Sequence, residues 1–191
     1  MSNKARSNSS KNRIMAVVTV SLFTAIIAVC SFISIPAAVP FTLQTLGIFT
    51  ALTVLGGKRG TICIALYIFI GLVGIPVFSG FSAGVGHIAG ATGGFILGFI
   101  FCGLIYWLIT GLLGTKTITK AIALTLGLLI CYIFGALWYT AFYLKGINPE
   151  TVLTTLKVCV VPFIIPDLIK LGVALIIDKK IPLSIKQGAF R

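Results

Sequence analysis

Charge, and acidic charge above all, is what this sequence is short of. Only 9% of its 191 residues are charged, and the acids are Glu150, Asp167 and Asp178. A soluble domain carries about a quarter charged residues, so too few polar groups are present here to cover a water-facing surface. A lone histidine, His87, and three scattered acids supply no ligand set for a catalytic metal. No Gly-Lys-Ser/Thr phosphate loop occurs, so any energy from ATP has to come from a partner. The cysteines (Cys30, Cys63, Cys102, Cys131 and Cys159) form no C-x-x-C pair and lie in or beside apolar runs. They read as small buried hydrophobes, with no disulfide framework expected.

Apolar residues make up 58% of the chain, and its mean hydropathy is +1.15. That is enough for five or six membrane spans of ~20 residues each. A soluble enzyme, a disordered chain and a nucleic-acid module are excluded. Fifteen Lys and Arg give a net charge of +12. They fall between the apolar runs, so they report topology rather than a nucleic-acid partner. Membrane lipids, anionic ones included, are the secondary partner this charge implies.

Gly, Pro and basic punctuation divides the runs into an all-α membrane protein of six transmembrane helices, at about 14–35, 42–56, 60–76, 92–113, 119–143 and 158–178. They form one domain over 14–180, between a disordered basic tail at 1–13 and a cytoplasmic tail at 181–191. The segment 148–157, opening on Asn148-Pro149-Glu150, predicts a short amphipathic helix in the outer interface. Twelve basic residues fall in the N-terminal tail, the 57–60 turn, the 114–120 loop and the C-terminal residues from Lys179 onward, against Lys145 and Lys157 on the other side. The positive-inside rule then puts both termini in the cytoplasm. The chain has no inverted repeat of the kind that builds a self-contained alternating-access carrier.

Three clusters on the outer half invite a functional reading. Pro36 to Leu46, PAAVPFTLQTL, predicts a tight hairpin that delivers Gln44, an amide donor and acceptor, to the mouth of the second span. The run FSGFSAGVGHIAGATGG, residues 78–94, is glycine-rich and enters a helix near Thr92. Its loop residues, Ser79, Gly86, His87, Thr92 and Gly93 among them, offer backbone N–H groups and a helix N-terminus that suit a carboxylate. Gly86, Gly90, Gly94 and Gly98 also repeat every four residues, the spacing of close helix packing. The third cluster is VPFIIPDLIKL, residues 161–171. Asp167 and Lys170 lie three apart, so they share a helix face. Intramembrane ionisable groups are costly and therefore presumptively functional. A carboxylate acceptor beside an ammonium donor matches a urea-like N–H next to C=O. Phe41 and Tyr139, with Phe78, Phe81, Trp138 and Tyr143, are candidates to wall an apolar ligand body. The residues alone point to an outward-facing site for a polar-headed, apolar-bodied solute.

Three stretches, PFTLQTLGIFTALTVLGGKRG, GLVGIPVFSGFSAGVGHIAGATGGFILGF and PFIIPDLIKL, resemble the BioY family, the biotin-specific S components of energy-coupling factor (ECF) transporters. The resemblance covers roughly residues 14–180 in order. It implies the six-helix S-component fold in a prokaryotic cell membrane, biotin as the transported ligand, and no enzymatic activity or cofactor. It also implies partnership with a membrane T component and two cytoplasmic ATPases. Asp167 and Lys170 match the family's pair expected to hold the ureido ring, Gln44 its hairpin glutamine, and Thr92-Gly93-Gly94 its threonine-diglycine. Ala91, Phe95 and Pro166 depart from the residues common there. Coupling to the T component is expected on the first helix, where Ser21 and Ala25 make a small-xxx-small step that Ala28 continues. An S component for another vitamin, or an intramembrane enzyme acting on lipid, are the readings to set against this one.

Overall fold

Glycine and proline place most of the breaks that fold these apolar runs back on one another. The computed structural model describes residues 2–36, 39–144 and 148–182, with side chains described from Arg13 onward, Tyr143 excepted. Lys145 and the tail from residue 183 lie outside the described residues, so the expectations placed on them are not tested by it.

Helix α1 spans Ser2–Phe32, starting well before the expected Ile14. The basic stretch ahead of Ile14 continues the same helix and contains no Gly or Pro to stop it. A two-stranded antiparallel ribbon follows, β1 (Ser34–Ile35) against β2 (Phe41–Thr42), with Ser34 opposite Thr42. This is the hairpin expected at Pro36–Leu46.

Helix α2 runs Gln44–Leu72 but is broken at Gly56, whose φ of 79° and ψ of 169° are not helical. Glycine reaches such a φ without steric cost, and the chain reverses there. Gln44 Nε2 donates to Tyr67 Oη at 3.0 Å near the open end of the two arms. Near the turn, a Cβ added at Gly60 would sit 2.8 Å from Leu52 Cα. The arms 44–55 and 57–72 are therefore the expected second and third spans, packed antiparallel. The second arm stops at Leu72 rather than at Pro76, ahead of Gly74 with its φ of +105°.

A 3-10 turn (Ser79–Phe81) and helix α3 (Val85–Ile88) lead into α4 (Gly93–Leu113). Helix α5 (Thr117–Trp138) ends in a π-turn, Tyr139–Tyr143. Asn148 caps α6 (Pro149–Cys159) with a reciprocal pair of bonds to Thr151, and Pro149 fits its first turn. At Val160 the backbone leaves helical geometry (φ −122°, ψ −58°), and α7 (Val161–Lys180) follows. The segment expected to be a separate short helix is thus one.

The α4–α5 pair makes the most extensive contact among the described elements, and glycine allows it. Cβ atoms added at Gly94 or Gly98 would collide with Trp138 or Cys131, and at Gly127 or Gly135 with Cys102 or Phe95. Gly86 takes no part in this packing: a Cβ there meets open space. The four-residue glycine spacing therefore works as a packing stripe only from Gly94 onward, because 86 and 90 precede the helix.

Five stretches are long and apolar enough to cross a membrane among the described residues: Arg13–Phe32, Gln44–Leu72, Gly93–Leu113, Thr117–Phe142 and Pro149–Lys180. Dividing the second at Gly56 gives six helices, of which the 44–55 arm, ~18 Å long, is too short to span a ~30 Å core alone. The outside is as apolar as the inside: Val17, Phe69, Leu108, Ile133 and Ile169 are exposed. Such a surface belongs in hydrocarbon, and the protein is a multi-pass membrane protein. Cys63, Cys102, Cys131 and Cys159 are buried, as small hydrophobes would be. One basic residue departs from its expected place. Lys120, counted above as a loop cation, is buried on α5, where Nζ pairs with Asp178 of α7 at 2.7 Å and donates to the Thr53 carbonyl at 3.0 Å. At residue 120 the chain is already inside the bundle because α5 begins at Thr117.

Candidate ligand pocket

The ends of the helices nearest the ribbon line a pocket that is partly open to its surroundings. The ribbon and the first arm of α2 contribute Thr42, Gln44 and Thr45. Helices α4 and α5 contribute Phe95, Phe99, Cys131 and Tyr132, the glycine-rich loop contributes Ser79 and Thr92, and α7 contributes Phe163, Asp167 and Lys170. One polar end and an aromatic wall make this a site for a small amphipathic molecule.

Asp167 and Lys170 form the polar end. Their ion pair is 2.7 Å long, and both residues are buried. Asp167 Oδ1 also accepts from Thr45 Oγ1 at 2.8 Å, and Oδ2 accepts from Tyr132 Oη at 2.7 Å. Lys170 Nζ donates a second bond to the Thr42 carbonyl at 2.7 Å and lies 4.6 Å from the centre of the Phe41 ring. A carboxylate has about four acceptor positions and an ammonium three hydrogens. Three positions and two hydrogens are occupied by these contacts. By this count one acceptor position, on Asp167 Oδ2, and one Lys170 hydrogen remain on two residues that line the pocket, groups that an N–H and a C=O of one ligand would complement.

The α7 backbone helps to place the pair. Pro166 inside the helix has no N–H to return to the preceding turn. Asp167 and Lys170 then follow one turn apart on the inward face, and the cost of burying them is offset by the donors and acceptors just described.

The expected site residues separate into two groups. Gln44, Ser79, Thr92, Asp167 and Lys170 line the pocket. Phe41 sits behind it, under the Lys170 ammonium and stacked on Phe163 at 5.4 Å. Gln44 spends its amide nitrogen on Tyr67, which itself donates to the Val77 carbonyl at 3.1 Å. The others hold the loop instead of lining the cavity. A Cβ at Gly93 would lie 1.5 Å from the Ile88 carbonyl oxygen, so only glycine fits that turn. Gly86 does not line the cavity, and a Cβ there would meet nothing within 4 Å. Tyr139 is buried in the π-turn, which packs against α6 and is tied to it by Thr140 and Thr155 at 2.9 Å. It lies two helical turns beyond Tyr132, past the cavity wall.

His87 stacks on Phe78 at 5.3 Å, and its Nε2 lies 3.3 Å from both Ser82 Oγ and Thr92 Oγ1. Ser82 already donates to the Ser79 carbonyl, so toward Ser82 the imidazole can only donate. In the Nε2–H tautomer that this bond requires, the Thr92 hydroxyl accepts from the ring and keeps its own hydrogen for another acceptor. Burial pushes the His87 pKa down from its ordinary 6.5, which favours that neutral form. The other aromatics expected as walls also belong to the loop's support. Phe78 is buried against Gly71, Phe81 stacks on Phe32 at 4.4 Å, and Trp138 donates to the Gly90 carbonyl at 3.1 Å. The Tyr143 side chain is outside the described residues.

Sequence reasoning missed Thr45, Tyr132, Phe95, Phe99 and Phe163 as parts of the site. Tyr132 is a hydroxyl in an apolar span, and such a group needs a partner; that was the available signal. On the first helix Ser21 and Ala25 are exposed, as a docking face requires, whereas Ala28 packs against the core and leaves that face.

The whole chain also compares closely with known proteins. The model of the BioY family matches residues 1–187. A probable biotin transporter BioY of Pyrococcus horikoshii is 39% identical over 163 residues, 85% of this chain and 93% of the relative. The biotin transporter BioY of Thermotoga maritima is 40% identical over 160 residues, covering 82% and 89%. The crystal structure of the S-component for biotin from an ECF-type ABC transporter superposes with a TM-score of 0.77 at 24% identity, covering 94% of this chain and 93% of that one, and shows a shared fold. The relatives are named as transporters, not enzymes, and on the extent of these matches the chain belongs to the BioY family.

Proposed function

We propose that this protein is the biotin-binding membrane subunit of an ECF-type uptake system. It captures biotin in the pocket beside the ribbon and passes it on with a T component and two ATPase subunits. The observation that carries the reading is the buried Asp167–Lys170 pair lining the pocket with one acceptor position and one donor hydrogen unused. One ureido N–H of biotin donates to Asp167, and the ureido oxygen accepts from Lys170. Phe95, Phe99 and Phe163 flank the thiophane and the valeryl chain. The Thr92 hydroxyl and the N-terminal end of α4 meet the carboxylate, where a helix terminus favours negative charge. The bias of basic residues toward the Gly56–Arg59 end supports the reading in which that end faces the cytoplasm of a prokaryotic cell and the pocket opens outward. Ser21 and Ala25 offer α1 to the T component.

Biotin titration of Asp167→Asn, Lys170→Met and the double variant, beside their melting temperatures, tests the site. A charge-assisted hydrogen bond contributes ~1.5–3 kcal/mol, so each single change should weaken biotin by roughly one to two orders of magnitude. The double variant should fold and bind no better than either. A folded double variant with wild-type affinity would remove the pair from the site.

A further inference from the structure

A ureido ring carries two N–H groups, and the pair on α7 takes up only one of them together with the oxygen. A second N–H left in the pocket without an acceptor would cost much of what the first one gains. Gln44 lines the pocket and has an oxygen to offer, because its Oε1 makes no hydrogen bond among the described residues. It is also held beside the pair. Its neighbour Thr45 bonds Asp167, and its own N–H donates to Thr42 Oγ1 at 3.2 Å, while the Thr42 carbonyl accepts from Lys170.

Which end of the Gln44 amide stays free is decided outside the pocket. Tyr67, on the second arm of α2, is fully buried and does not line the cavity; its ring stands edge-on to Phe78 at 5.5 Å. Its Oη lies 3.1 Å from the Val77 carbonyl oxygen and 3.0 Å from Gln44 Nε2. A peptide carbonyl only accepts, and a phenol has a single hydrogen. Tyr67 therefore donates to Val77 and can only accept from Gln44. A reversed Gln44 amide would claim that same hydrogen and leave the Tyr67 and Val77 oxygens facing each other with none between them. The backbone carbonyl thus sets the direction of the chain, which leaves Oε1 unspent.

We propose that Tyr67 is a positioning residue for ligand specificity: by holding Gln44 with its oxygen free, it makes the site demand the second ureido N–H. This rests on biotin being the ligand, and it adds a rule of selection. A ring that keeps the C=O but has lost the N–H on the Gln44 side is rejected, because it leaves that oxygen unpaired.

The probes are biotin and its two cyclic-carbamate analogues, in each of which one ureido N–H is replaced by a ring oxygen. They are titrated into the purified full chain and its variants, with melting temperatures alongside. Wild type should prefer biotin to both analogues, by roughly fivefold where Gln44 meets the lost N–H and by more where Asp167 does. Tyr67→Phe keeps the ring against Phe78, and the Val77 carbonyl still accepts from Ser31, so no buried acceptor is orphaned. This variant should weaken biotin roughly fivefold and erase the smaller preference while keeping the larger. Gln44→Leu should do the same, and adding Tyr67→Phe to it should change nothing further, since the tyrosine acts through that amide. Ser31→Ala, which shares the Val77 carbonyl but does not touch Gln44, should leave both preferences at wild-type values. Equal weakening of all three ligands by Tyr67→Phe, or an effect that adds to that of Gln44→Leu, would make Tyr67 a packing residue and overturn the proposal. So would a smaller preference that survives in Tyr67→Phe or in Gln44→Leu. A wild type that does not bind biotin is a different failure: the biotin reading itself would fall, and this inference with it.

Discussion

Two buried ion pairs of equal length, both 2.7 Å, lie toward opposite ends of the same helix among the described residues, and they are built for different work. The pair beside the ribbon, Asp167 with Lys170, is three residues apart on α7 and is assembled as soon as that helix forms. Its contacts to Thr45, Tyr132 and Thr42 position it without using up its hydrogen-bonding capacity, and it faces an open cavity. The other pair, Lys120 with Asp178, joins α5 to α7 across 58 residues of sequence, and its lysine also grips the Thr53 carbonyl of α2. A pair within one helix contributes little to tertiary structure and is available to a ligand. A pair between helices clamps three of them together.

The sharpest way to break this comparison is to remove one partner of the clamp. Lys120→Met leaves Asp178 as a buried charge without its ammonium, and such losses cost about 3–5 kcal/mol. Thermal unfolding should show that loss, while the protein that remains folded binds biotin with wild-type affinity. If affinity falls as far as stability, the two ends are coupled and the division of labour is wrong.

A finer test asks what the neighbours of Asp167 do. Tyr132→Phe removes one positioned donor from Oδ2, a contact of ~1 kcal/mol. Biotin affinity should drop about fivefold, with the melting temperature nearly unchanged. A lower melting temperature at constant affinity would make Tyr132 a packing residue only.

The smallest effect concerns the loop that caps the pocket. Because the folded state lowers the His87 pKa, the unfolded chain binds the proton more readily. This contribution to stability is therefore complete above the ordinary value of 6.5 and is lost as pH falls through the lowered folded value. Protonation also puts a cation beside Phe78 and adds a second N–H to be satisfied. Protease accessibility of residues 79–92 should rise on acidification below about pH 6.5, and His87→Gln should flatten that dependence. An identical pH profile in the variant would place the sensitivity elsewhere.

Much of this could be read along the chain, and the rest could not, for a consistent reason. The membrane class, the helix breaks at Gly56 and near Pro149, and the special status of Asp167 and Lys170 follow from local rules. Hydropathy counts residues, glycine and proline act on their own backbone, and charges inside a span are costly wherever the helix packs. Tyr132 and Thr45 could not be told from other aromatics and threonines in the spans, because their partner lies 35 and 122 residues away. Lys120 was misplaced because a charge near a loop and a charge buried one turn into a helix look alike in sequence. Tyr139 shared a helical face with the cavity residues but lay too far along it, and only the position of α6 decides where the cavity ends.

The sequence by itself therefore determined that this chain lives in a bilayer, where it folds back, and which ionised pair its sixth apolar run carries into the membrane. The tertiary structure alone decided which donors hold that pair ready, that a second pair clamps the opposite end, and which glycines are packing sites rather than loop. Those outcomes depend on distances between helices, and helix-to-helix distance is set by the fit of side chains that no local period encodes.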